Sequence, residues 1–136
     1  MSVLRVNFLP EFDYGDDAVL VTMDGAGVDL FRAALTEAIE RGSAQLDHDG
    51  VTHLFQIQPG AADIDLDTTR VVWRLDLSTA REIQLDLDVL SSDGEAGHNY
   101  IDMATPAPTL VVSRDEYVDV VYPSVAPAPK DPGAPR

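Results

Sequence analysis

Hydrophobic positions alternate with polar ones along most of this chain, and one segment at helical spacing interrupts the alternation. Leu4, Val6 and Phe8 alternate with Arg5 and Asn7, which predicts a half-buried strand over residues 3–9 that stops at Pro10. After the loop EFDYGDD, the run AVLVTM predicts a second strand over 18–23, ended by Asp24-Gly25. Over residues 27–41 the period changes. Val28, Phe31, Leu35, Ala38 and Ile39 recur on one helical face, Arg32, Thr36, Glu37, Glu40 and Arg41 take the other, and Gly42 supplies a left-handed stop.

The next segment, AQLDHDGVTHLFQIQ, carries a strong two-residue hairpin signal at Asp49-Gly50. That turn pairs His48 with Val51, Asp47 with Thr52 and Leu46 with His53, and the hydrophobic pattern demands the same register. Ala44, Leu46, His48, Val51, His53, Phe55 and Ile57 then share one face, with His48 and His53 diagonal neighbours on it. A further hairpin around Thr68-Thr69 joins ADIDLD to RVVWRLD, pointing Ile64, Leu66, Val71, Trp73 and Leu75 one way and setting Asp63 opposite Arg74 and Asp67 opposite Arg70. The stretch STAREIQLDLDVL fits two periods. A capping box at Thr79 and Glu82 with Ile83, Leu87 and Leu90 on one face fits a helix; strict alternation of Ile83, Leu85, Leu87 and Val89 with Gln84, Asp86 and Asp88 fits a strand paired to RVVWRL, and the strand is the favoured reading. HNYIDM at 98–103 and TLVVS at 109–113, joined by the turn TPAP, predict two more strands, and 118–122 a last extended piece.

Consecutive hairpins with one amphipathic helix predict an α+β fold, an antiparallel sheet covered on one face by that helix and open on a face rich in Asp, Gln and Thr. No fixed-period repeat is visible in the sequence. The expected domain covers residues 1–122; from Pro123 onward five of fourteen residues are proline, which predicts a flexible or polyproline-like tail over 123–136.

Composition adds charge to this picture. Among 136 residues, 24 are Asp or Glu and 9 are Lys or Arg, a formal charge of −15, and the only lysine is Lys130 in the tail. Such a field repels nucleic acid and anionic membranes and attracts basic partners. A GC-rich genome or adaptation to salt would produce the same surplus without a partner. The start MSVLRVNFLPEFDYGDD lacks the charged beginning and apolar centre of a secretory signal, and no stretch approaches the roughly 20 apolar residues of a membrane span, so the expectation is a soluble, cytoplasmic protein. With no cysteine there is neither a disulfide framework nor a thiolate metal site.

Candidate chemistry is sparse. Asp47, His48, Asp49, His53 and His98 invite a zinc reading, but the hairpin register supplies only two histidines on one face, so the expectation is no metal and histidines that cap the core edge by hydrogen bonds. Asp63, Asp65 and Asp67 alternate along a strand and spread about 7 Å per two residues, too far to close round calcium. No serine sits in a nucleophile elbow, no glycine set forms a phosphate loop, and no carboxylate pair has an apolar setting. The expectation is a binding protein without catalysis or cofactor.

The run GHNYIDM followed by TLVVSRDEY, at 97–103 and 109–117, resembles the pattern Gly-His-x-Tyr-(Ile/Leu)-Asp, a short turn, then an apolar strand ending Ser-x-Asp-Glu-Tyr. That pattern is similar to small proteins that look like immunity proteins of bacterial polymorphic toxin systems, and FLPEFDYGDDAVLV, DHDGVTHLF and RVVWRL fit the same impression. The resemblance implies a cytoplasmic antidote that binds and blocks a cognate toxin, with His98, Tyr100, Asp102, Ser113, Glu116 and Tyr117 as its motif residues, and the acidic charge makes a basic toxin the expected partner. To these the residues themselves add an acidic, aromatic lip of Glu11, Phe12, Asp13, Tyr14, Asp16 and Asp17, and the solvated ladder Asp63, Asp65 and Asp67. Plainer readings stand beside both: a solvated hairpin connection for the lip, and local closure of the domain for His98, Tyr100 and the SRDEY turn. The competing function is a small acidic accessory domain, homodimeric through an edge strand, whose charge serves solubility.

Overall fold

A computed structural model describes residues 2–13, 15–93, 95–120 and 122 of the chain. Tyr14 and the Pro-rich tail lie outside the described residues, as do the side chains of Asp13, Ser92 and Asp93. The order is β1 (Leu4–Asp13), β2 (Asp16–Met23), α1 (Gly25–Arg41), β3 (Ser43–His48), β4 (Val51–Ile57), β5 (Ala62–Leu66), β6 (Arg70–Leu75), α2 (Leu77–Asp93), β7 (Gly97–Asp102) and β8 (Thr109–Arg114). This is an α+β fold with two mixed sheets, β1-β2-β8-β7 and β3-β4-β6-β5.

All four hairpins are antiparallel, and the two read from turn chemistry have the expected register. His48 faces Val51 and Leu46 faces His53; Asp49 and Gly50 both have positive φ, as that turn type requires. Asp63 faces Arg74, and the Asp67 N–H donates to the Arg70 carbonyl. The ion pair that forms, however, is the diagonal one between Arg74 and Asp65. What joins hairpin to hairpin is parallel pairing, β2 with β8 and β4 with β6, so the expectation of a single antiparallel sheet is corrected.

The chain order repeats once. Strand, strand, helix, strand, strand runs from β1 to β4 and again from β5 to β8, and each half gives its first hairpin to one sheet and its second to the other. The junctions match as well. Asp24 after β2 and Asp76 after β6 each cap a 17-residue helix, accepting from the Gly27 and Thr79 N–H respectively, both at 2.7 Å. Each also donates its own N–H back to the residue preceding the first strand of its half, Asp24 to Val3 and Asp76 to Ala61.

The second helix overturns the strand expected over STAREIQLDLDVL and the single-helix fold with it. Ala80, Ile83, Leu87 and Leu90 face the core at steps of three and four, while Leu85 and Val89, which the alternation placed inside, are 65% and 52% exposed. The strand would also have needed a free side of β6, and both sides are occupied, by β5 and by β4. The helices lie against each other, and both sheets contribute to one apolar core centred on Phe31, Phe55 and Trp73. Phe31 meets the other two rings edge-on at 5.2 Å, and they stack on each other at 5.7 Å.

Two ends of elements differ from expectation. β1 continues through Pro10 because β1 is an edge strand: counting by twos from Leu4, the missing N–H falls on the side without a neighbour. The ladder then shifts between Leu9 and Asp13, where Glu11 takes φ 56° and its N–H donates to Asp17. After β8 the described part of 118–122 is not a strand: Asp115 turns the chain at φ 58°, and it folds back over the outer face of the first sheet.

Candidate functional site

The outer face of β1-β2-β8-β7 has an apolar centre of Leu9, Ala18, Leu20 and Val111, which the alternation of these strands places opposite the main core. Phe12, Tyr117 and Tyr122 cover it. The Phe12 and Tyr117 rings meet edge-on at 6.0 Å, and Arg5 clamps the returning chain by donating to the carbonyls of Tyr117 (3.2 Å), Val118 (2.9 Å) and Val120 (3.3 Å). Phe12 and Tyr117 therefore help to close the domain; Phe12, read with the lip as part of a hairpin connection, packs on an apolar centre instead of standing in solvent. Ser113 is structural too: its buried hydroxyl donates to the Val21 carbonyl at 2.7 Å.

Around this small core the expected contact residues come together. His98, Tyr100 and Asp102 alternate outward along edge strand β7. The His98 Nδ1 lies 2.5 Å from a Glu116 carboxylate oxygen, and its ring sits edge-on to Tyr100 at 5.3 Å. Burial, then the neighbouring Glu116, Tyr100 and Tyr122, push the Tyr117 phenol above its usual pKa, which shows how closely these groups converge. Glu11, Asp16 and Asp17 stand at the β1–β2 hairpin, and Asp115 and Asp119 in the returning turn. Two arginines oppose these acids: Arg5, whose guanidinium donates to carbonyls, and Arg114, which pairs with Asp115 at 3.3 Å and donates to the Leu90 carbonyl at 2.7 Å.

Asp63, Asp65 and Asp67 do not join this group; they lie on β5 and its turn in the other sheet. That sheet's outer face is open and carries Gln45, Asp47, Thr52 and Gln56, as its alternation requires, but its acids are interleaved with Arg70 and Arg74. Asp65 pairs with Arg74, and Asp63 accepts from the Thr105 hydroxyl at 2.6 Å. The two acidic surfaces thus differ in degree: one interleaves acids with Arg70 and Arg74, the other gathers more acids around Arg5 and the Arg114–Asp115 pair.

A second feature escaped the sequence reading. A cleft of ≈ 370 Å³ opens between β1 and the turn ends of the other sheet, lined on one side by residues 4–8 and on the other by His48, Asp49, Val51, His53, Leu66, Asp67, Thr68 and Val71. His53, 1% exposed, accepts at Nδ1 from the Trp73 indole N–H at 3.4 Å, so its neutral ring carries the proton on Nε2. Burial, and repulsion from His48 against a smaller opposing effect of Asp47, hold its pKa down at about 4. The His48 Nε2 lies 2.8 Å from the Ser2 hydroxyl, and its Nδ1 is buried without a hydrogen-bond partner among the described residues. His98 is on the other sheet, away from this pair. Among the described residues no group of three or more Asp, Glu or His could hold a metal ion, and no helix is long and apolar enough to cross a membrane. The shared face of His48 and His53 was the available signal for the cleft, but what opens it is the approach of β1, which no local pattern encodes.

No protein-family model, no curated protein and no solved structure matches the chain.

Proposed function

We propose that this protein is a non-enzymatic immunity protein that binds and occludes a basic toxin domain through the outer side of β1-β2-β8-β7. The observation that carries this reading is a surplus of acid: Glu11, Asp16, Asp17, Asp102, Asp115, Glu116 and Asp119 border a face whose nearby positive charges are Arg5, bonded to backbone carbonyls, and Arg114, paired with Asp115 at 3.3 Å. A cationic macromolecule approaching the chain, at −15 overall, is steered fastest toward such a surface. Tyr100, 54% exposed at the middle of this rim, offers the amphipathic ring that anchors protein interfaces. Phe12 already packs on Tyr117, so Tyr100 is the exposed ring left to serve as an anchor among the described aromatics of this face. The ladder of Asp63, Asp65 and Asp67 contributes little on this reading, because its field is offset by Arg70 and Arg74.

The test is protection. Cells that express a basic toxin domain from a neighbouring reading frame should survive when this protein is co-expressed, and the purified pair should associate roughly tenfold or more slowly when salt rises from low to physiological strength. Tyr100→Ala should weaken the complex by about 2 kcal/mol while leaving thermal stability unchanged. Absence of both rescue and a salt-sensitive complex overturns the proposal.

A further inference from the structure

The two halves finish the space beside their first strand differently. Beside β5 it is filled. The long connection between β7 and β8 runs there: the Ala104 N–H donates to the Ala62 carbonyl at 2.9 Å, the Ile64 N–H donates to the Thr105 carbonyl at 2.9 Å, and Ala107, 2% exposed, packs into the main core. Beside β1 the matching connection is the two-residue turn Asp49-Gly50, and the cleft of ≈ 370 Å³ lies in the matching place. The side chains between the sheets change in step. Where the filled half has the fully buried, apolar Leu110, the half with the cleft has His53.

His53 offers the cleft a hydrogen-bond donor. Its Nδ1 accepts from Trp73, which leaves the proton on Nε2, and among the described residues nothing accepts from that N–H. Nor is the N–H sealed off. The buried side-chain nitrogens and oxygens without a partner among the described residues are Thr22 Oγ1 and His48 Nδ1, and the His53 Nε2 is not one of them. A ring that accepts at one nitrogen donates more strongly from the other, because the chain of hydrogen bonds polarises it. Polar groups inside folded proteins are normally paired, so this donor suits an acceptor that a ligand brings.

The rest of the lining defines that ligand. Leu4, Val6, Phe8, Val51, Leu66 and Val71 present an apolar surface, and the volume falls within the ~300–1,000 Å³ of small-molecule sites. At the exposed end stand Asp49 and Asp67. Arg5 borders the cleft too, but its guanidinium is bonded to the Tyr117, Val118 and Val120 carbonyls. An anion entering the cleft is therefore repelled by two carboxylates, and an ammonium group has no lone pair to accept from the His53 N–H. A neutral carbonyl meets neither obstacle.

We propose that this cleft binds a small uncharged carbonyl compound, a ketone, ester or amide, whose oxygen accepts from the His53 Nε2–H while its apolar body lies against β1 and the facing hairpin ends. The site is separate from the toxin-binding surface proposed above and does not depend on it.

Trp73 is the one tryptophan in the chain, so its indole N–H gives a single NMR signal that reports on His53. Titration of the full-length protein with acetophenone at neutral pH should move that signal and the Val51 and Val71 amides to saturation. Ethylbenzene, of similar size without the oxygen, should bind at least about tenfold more weakly, and benzoate should bind more weakly than acetophenone. In His53→Leu the ketone and the hydrocarbon should bind alike. The proposal is overturned if acetophenone moves none of these signals saturably, if the natural protein binds ethylbenzene or benzoate as tightly as the ketone, or if the preference for the ketone survives in His53→Leu. The comparisons made on the natural protein decide the matter even where the variant does not fold.

Discussion

The two halves of this molecule share a connectivity but not a chemistry. Where β4 and β6 meet, His53 and Trp73 form a buried polar pair; where β8 and β2 meet, the corresponding positions hold Leu110 and Val21, both fully buried and apolar. Gly27, third in α1, lies so close to Val3 that an added Cβ would sit 1.9 Å from its carbonyl oxygen, whereas the matching residue of α2 is Thr79. What is common is smaller: an aspartate that ends a strand and caps a helix, and an apolar stripe of four residues on that helix. Those few constraints suffice to set the chain path, and the contacts between layers are free to differ.

The largest way to break the comparison is to strike the stripe. Leu87 corresponds to Leu35, and each is fully buried. Leu87→Ala should cost about 3 kcal/mol, within the range for a truncated core leucine, whereas Leu85→Ala, two residues away and 65% exposed, should change stability by less than about 0.5 kcal/mol. Chemical denaturation of the two variants decides it. Comparable losses would mean that the segment alternates as a strand does.

That segment also marks where the sequence was legible and where it was not. α1 could be read because its polar face holds Arg32, Glu37, Glu40 and Arg41, so only one period fits; α2 sets Leu85 and Val89 on its solvent face, and those two residues imitate an alternating strand. Hairpins joined at Asp49-Gly50 and Thr68-Thr69 were legible because turn and register are local. The parallel joins of β2 with β8 and β4 with β6 were not, because their partners are far apart in sequence and no turn announces them. The candidate site divides the same way. His98, Tyr100, Glu116 and Tyr117 were named from one short stretch and do meet, with Asp102 farther along the same edge strand, but Asp63, Asp65 and Asp67 belong to another sheet, and the cleft beside His53 depends on the long-range approach of β1.

A medium effect is expected from pH at the polar pair. The His53 pKa falls from 6.5 in the open chain to about 4 when folded, so between those values the unfolded state binds more protons. Stability from this group is therefore complete above pH 6.5 and is lost as pH falls toward 4, by about 3 kcal/mol in all. His53→Leu copies the other half. It should lose about 1 kcal/mol at neutral pH, from the orphaned Trp73 N–H, and be much less sensitive than the natural protein between pH 6.5 and 4. Urea titrations across that interval measure both, and parallel pH profiles for the two proteins would show that His53 is not the group responsible.

The smallest effect sharpens what the halves share. Burial raises the Asp24 pKa, but the Val3 and Gly27 N–H groups outweigh it, and the Thr79 N–H and hydroxyl lower that of Asp76, so both carboxyls sit below their ordinary 3.8. Each thus stabilises the fold fully above pH 3.8, and the contribution is lost as pH falls through the lower folded value. The Asp24 carboxylate accepts from two backbone groups, Val3 before β1 at 3.0 Å and Gly27 in α1 at 2.7 Å, and ties the start of the chain to α1; the Asp76 carboxylate, among the described residues, accepts only within its own helix. Asp24→Ala should therefore cost about 1–2 kcal/mol at pH 7, more than Asp76→Ala, and its gap from the natural protein should narrow below pH 3.8 as the carboxyl protonates. Equal losses would mean that the cap alone matters and that the tie to Val3 adds nothing, leaving the two junctions equivalent in energy as well as in connectivity.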